Sequence, residues 1–64
     1  MQINGKQLTL SENMSLSDFL KKEGFCIERV AVEKNGNIVP KKDFDTEQIS
    51  DNDKIEVVQF VGGG

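Results

Sequence analysis

The sequence predicts an α+β domain, with one helix packed on one face of a mixed sheet of four or five strands. Three observations carry this. Asn-Gly occurs twice between apolar stretches, at Asn4-Gly5 and Asn35-Gly36; a capped segment with helical spacing of apolar residues begins at Ser15; and an alternating strand runs from Lys54 to Phe60. Asn-Gly is a strong hairpin signal because both central residues of a type I′ turn need positive φ.

The first hairpin sets Met1–Ile3 against Lys6–Leu10. Met1 falls opposite Leu8 and Ile3 opposite Lys6, so that Met1, Ile3, Leu8 and Leu10 share the core face. The helix follows. Ser15 is its N-cap and Asp18 completes the capping signal, while Met14 and Phe19 hold the positions of a hydrophobic staple. Leu16, Phe19 and Leu20 form one apolar stripe, Lys21 and Lys22 suit the negative end of the helix dipole, and Gly24 is the stop, with Phe25 folding back onto the helix end. A helix of about three turns is expected.

Arg29–Lys34 reads as the next strand, with Val30 and Val32 inward, and Asn37–Val39 returns across the second Asn-Gly turn so that Val32 meets Val39. Pro40 ends that strand because it has no N–H for the ladder. Lys41–Ile49 is polar, with Phe44 and Ile49 as anchors around a short helical turn, and Ser50–Asp53 is a turn cluster. In the last strand Ile55 and Val57 face inward, which turns Glu56, Val58 and Phe60 to the other side. This order is that of the β-grasp, or ubiquitin-like, architecture. Its first and last strands lie parallel in the middle of the sheet, and the chain end leaves from the sheet centre. Residues 1–60 are expected to form this one domain and residues 61–64 a flexible tail.

Composition narrows the function. The 64 residues carry a net charge of −3, which disfavours nucleic acid or an anionic membrane as partner. There is one cysteine and no histidine, so neither an internal disulfide nor a Cys/His zinc site is expected, and the side chain most used for proton transfer near neutrality is missing. No apolar run is long enough for a transmembrane span or a signal peptide, and a cytoplasmic location is expected. The chain reads as something other than an enzyme, with its chemistry either in a partner or off the side chains.

The ending Val61-Gly62-Gly63-Gly64 is where such chemistry would sit. Terminal glycines cap no helix and pack no core; the bland reading is a frayed end. The functional reading is that a chain without Cβ atoms threads an active site too narrow for side chains and presents an unhindered carboxylate, which becomes reactive toward nucleophiles once ATP has made it an acyl adenylate. Val58 and Phe60, on the open side of the sheet next to this tail, suit a partner-binding patch.

The segment Val30–Phe44 (VAVEKNGNIVPKKDF), the ending Asp53–Gly64 (DKIEVVQFVGGG) and the opening Asn4–Lys6 resemble the ThiS family, the sulfur carriers of thiazole formation in thiamine biosynthesis, over essentially the whole chain. Asn52 departs from the Gly the family often has there, and Asn tolerates the left-handed conformation such a turn needs. The resemblance implies that a ThiF-like adenylyltransferase activates Gly64 with MgATP, that sulfur from a cysteine desulfurase persulfide yields a thiocarboxylate, and that a ThiG-like thiazole synthase takes up that sulfur. It further implies that Gly62 and Gly63 form the threading segment and that Val58, Phe60 and Val61 form the docking strand. The chain itself would bind no cofactor and would be a monomer when free.

Other motifs are weaker. Cys26 lies in an apolar stretch and reads as an inert, partly buried residue. Asp43, Asp45 and Glu47 alternate like calcium ligands, but Gln48 and Lys54 stand where such a loop needs Gly and Glu, so they read as solvated carboxylates. Two alternatives stay open: a carrier of the type found as the small subunit of molybdopterin synthase, and a non-covalent ubiquitin-like module with an inert tail.

Overall fold

The structure, a computed structural model, describes residues 1–61. Its frame is a five-stranded mixed sheet built from β1 (Gln2–Ile3), β2 (Lys6–Gln7), β4 (Val30–Lys34), β5 (Asn37–Val39) and β7 (Lys54–Gln59), in the order β2-β1-β7-β4-β5. Among the described residues only the β1–β7 pair is parallel, and β7 is the central strand, as the β-grasp requires. A separate two-stranded ribbon pairs β3 (Met14–Ser15) with β6 (Gln48–Ile49).

Both Asn-Gly hairpins form as the sequence predicts. Asn4 and Gly5 have φ of 50° and 80°, and Asn35 and Gly36 have 52° and 87°. Ile3 faces Lys6, Met1 exchanges hydrogen bonds with Leu8, and Val32 faces Val39. Each asparagine also does something the turn rule does not demand. The Asn4 amide donates to the Val57 carbonyl at 3.2 Å and accepts from the Val57 N–H at 2.7 Å. It thereby continues the parallel ladder one step past the end of β1, in the manner of a backbone peptide. At the other end of β7, Asn35 Oδ1 accepts from the Lys54 N–H at 2.9 Å, and Asn35 Nδ2 donates to Asp53 at 2.9 Å.

The helix α1 (Leu16–Lys22) is shorter than the three turns expected: seven residues. Both ends account for this. Ser15 Oγ accepts from the Asp18 N–H, and at the far end Gly24, at φ +85°, and Phe25 donate to the carbonyls of Lys21 and Leu20 in the pattern of a Schellman motif. Leu16, Phe19 and Leu20 are fully buried. They meet Val30, Val32, Ile55 and Val57 from the sheet and Phe44 and Ile49 from the long connection, in one core. Residues 27–29 form a 3₁₀ turn, so the expected strand from Arg29 begins one residue later.

The connection after Pro40 carries the predicted short helical turn, Lys41–Asp43. Its acidic residues keep access to solvent, as expected, but two of them also make contacts that the sequence did not indicate. Asp45 accepts from the hydroxyl of buried Ser17, and Glu47 Oε2 lies 2.8 Å from the Lys34 ammonium, which also donates to the Gln48 carbonyl. Leu16 and Ser17 N–H groups, orphaned at the helix start, are taken by the carbonyls of Glu47 and Phe44. The connection therefore caps α1.

Two aspartates tie the segment before β7 to the rest. Asp51 accepts from the Leu10 N–H at 2.8 Å and from the Met1 ammonium at 3.0 Å, and these hold its carboxyl below its ordinary range. Burial alone would raise Asp53, but hydrogen bonds from Asn35 and the Ser50 N–H and the nearby Lys34 ammonium outweigh it and keep Asp53 low. The unfolded chain therefore takes up these protons before the folded one does, and stability present above about pH 4 is lost as the pH falls further. Urea titrations from pH 6 to pH 2.5 should show this acid limb, shallower in Asp53→Asn; superimposable limbs would refute the assignment. Asn4→Gly should cost about 1–2 kcal/mol through the two lost bonds to Val57. Asn4→Ala should cost about 1 kcal/mol more, because alanine at this positive φ is strained. Urea unfolding of both variants measures the difference.

Candidate functional site: the open face and the outgoing strand

The sheet has two faces of opposite character. The face under α1 buries Val30, Val32, Val39, Ile55 and Val57. The other carries no helix among the described residues and is where the outward residues of β4, β5 and β7 emerge. The register sets them side by side: Ala31 opposite Val58, Glu33 opposite Glu56, and Glu33 opposite Ile38.

Of the predicted partner-binding residues, Val58 and Phe60 are 59% and 58% exposed and Val61 is 84% exposed. Val58 projects from β7 by simple alternation with Val57. Phe60 lies one residue beyond the strand, where its N–H donates to the Arg29 carbonyl at 2.6 Å, so the backbone is still held to the segment that enters β4. The predicted tail residues Gly62, Gly63 and Gly64 lie outside the described residues.

A fourth apolar residue belongs with these. Ile38 is 75% exposed on the same face. Sequence reasoning passed over it, although the alternation that turned Val58 outward applies equally to Asn37-Ile38-Val39 once Val39 is inward. Ala31, Val32, Glu33, Ile38, Glu56 and Val58 line a shallow depression of about 90 Å³. Four exposed large hydrophobic residues, three of them running in sequence into the glycines, are more than the scattered surface hydrophobics of an ordinary monomer.

Side-chain chemistry is sparse here. Cys26 is exposed, which corrects the expected partial burial; its thiol lies 3.5 Å from the Glu28 carboxylate. Its place in the 3₁₀ entry to β4, rather than inside a strand, leaves it outside the core. Among the described residues no group of three or more Cys, Asp or Glu is arranged to hold a metal ion, and no helix is long and apolar enough to cross a membrane. What the site offers is a surface and a direction of exit.

The sequence model of the ThiS family matches residues 1–64, the whole of the chain. The chain belongs to the ThiS family. The sulfur carrier protein ThiS of Bacillus subtilis is 34% identical over 65 residues, covering all of this chain and 98% of that protein. The crystal structure of the thiamine biosynthesis protein ThiS from Geobacter metallireducens superposes with a TM-score of 0.82 at 32% identity, covering 98% of this chain and 96% of that one. A thiazole synthase of Paramagnetospirillum magneticum is 40% identical over 62 residues, which are 97% of this chain but 19% of that much longer protein. The family is that of the sulfur carriers of thiamine biosynthesis.

The exposure of Phe60 makes a direct prediction. Phe60→Ser should change unfolding stability by no more than about 0.5 kcal/mol, because the ring is not part of the core. A loss of several kcal/mol in urea unfolding would place Phe60 in the packing instead.

Proposed function

We propose that this ThiS-family chain carries sulfur as a thiocarboxylate on Gly64. One observation supports this most: the central strand β7 carries exposed Val58 and is followed by exposed Phe60 and Val61 and then, in sequence, by three glycines. The apolar residues hold a partner, and the glycines reach into its active site.

In this reading a ThiF-like adenylyltransferase binds the open face and supplies MgATP. The Gly64 carboxylate attacks the α-phosphorus, pyrophosphate leaves, and an acyl adenylate results. The terminal sulfur of a persulfide, made by a cysteine desulfurase, attacks the acyl carbon and expels AMP. A thiol then reduces the acyl disulfide, leaving the thiocarboxylate. In a ThiG-like thiazole synthase the thiocarboxylate sulfur bonds to the substrate; water then attacks the acyl carbon, the carbon–sulfur bond breaks with the sulfur left on the substrate, and the carboxylate is restored. The thiazole synthase relative that contains a stretch like this chain supports such a partner, since joining the two in one polypeptide raises the local concentration of carrier. The chain contributes an acyl group and a docking surface, in keeping with its lack of histidine. The same reading treats residues 1–60 as the domain and residues 61–64 as the reacting tail, with no bound cofactor, acting as a monomer in the cytoplasm.

Intact-mass spectrometry tests the proposal. After incubation with MgATP, the adenylyltransferase and a sulfur donor, the chain should gain the mass of one sulfur in place of one oxygen. A variant lacking Gly64 should gain nothing and should unfold at the same urea concentration as the full chain. No gain in the full chain, with an adenylyltransferase shown active on another carrier, would favour a non-covalent module with an inert end.

A further inference from the structure

The open face sets two like charges in direct register. Glu33 and Glu56 stand directly opposite one another on the antiparallel pair β4–β7, both exposed and both on the face away from α1. Like charges at such a position repel, whereas a lysine opposite a glutamate would attract. Glu56 has weak compensation from Lys54, 3.8 Å away with both side chains more than half exposed, and Glu33 has no ion pair among the described residues. The two carboxylates also line the 90 Å³ depression, whose remaining walls are the apolar side chains of Ala31, Ile38 and Val58. A local conflict of this kind, on a surface with no folding duty, is expected where the residues serve a contact made outside the chain.

The geometry points to a seat for one cationic side chain of the docking partner, an arginine or lysine placed between Glu33 and Glu56. The aliphatic stem of that residue lies along Ala31, Ile38 and Val58, and its charged head meets both carboxylates. The occupant is the thiazole synthase of the proposed function, on which this inference rests; the fused relative shows that carrier-like and synthase sequences occur in one protein. The apolar residues then supply contact area, while the acidic pair sets orientation and selects against partners whose matching surface is neutral or acidic.

The test compares two effects of opposite sign. In the full chain, Glu33→Gln with Glu56→Gln should leave urea stability unchanged or raised, since a repulsion is removed. The same double variant should bind purified thiazole synthase at least about tenfold more weakly by calorimetry, with a smaller loss of affinity on adding salt than the wild type shows. Phe60→Ala serves as the control for docking as such. If Phe60→Ala weakens binding and the double glutamine variant does not, the face docks but the cation seat is refuted. If neither variant weakens binding, the docking face itself is refuted and the seat with it. If the double variant loses both affinity and stability, the pair is structural and the inference fails.

Discussion

Everything in this fold hangs on β7 being hydrogen-bonded from both sides. It is the central strand, paired with β1 in parallel and β4 antiparallel, and its inward residues Ile55 and Val57 reach the core beneath α1. A short chain has difficulty supplying two full-length neighbours. On one side β4 spans five residues; on the other β1 spans only two. The Asn4 side chain closes that gap by bonding both backbone groups of Val57, and Asn35 secures the strand's first residue. Without those amides, polar backbone next to a buried valine would lack partners, a cost a small domain can ill carry.

Much of this was legible beforehand, and the reason is that the strongest signals are local. The positive φ of an Asn-Gly turn, the hydroxyl cap of Ser15 and the Gly24 stop each depend on residues close in sequence, and all three formed. What could not be read depends on partners brought together by the fold. The amides of Asn4 and Asn35 act on residues 53 and 19 positions away. Asp45 finds Ser17, and Glu47 finds Lys34, only because the Pro40–Ile49 connection lies over the helix start. The ribbon of β3 and β6 has two residues on each side, too short to show any alternation.

The candidate site divides the same way. Val58 was legible from alternation, and Ile38 was legible by the same arithmetic but stands two strands away across the sheet, so nothing in sequence links the two. The juxtaposition of Glu33 with Glu56 needs the β4–β7 register, which no single segment encodes. The glycines were conspicuous because the other three in the chain each have a turn or cap to explain them. Family membership extends over the whole length and names the class of carrier.

The uneven lengths of β1 and β4 have a mechanical consequence. Up to Val57 the central strand is supported on two sides, by β1 and the Asn4 amide and by β4. From Val58 to Phe60 it is supported on one, through Ala31, Val30 and Arg29. At Val61 neither support continues among the described residues. The strand is thus a beam whose bracing is removed in steps between Val57 and Val61, while its heading is still set by the sheet.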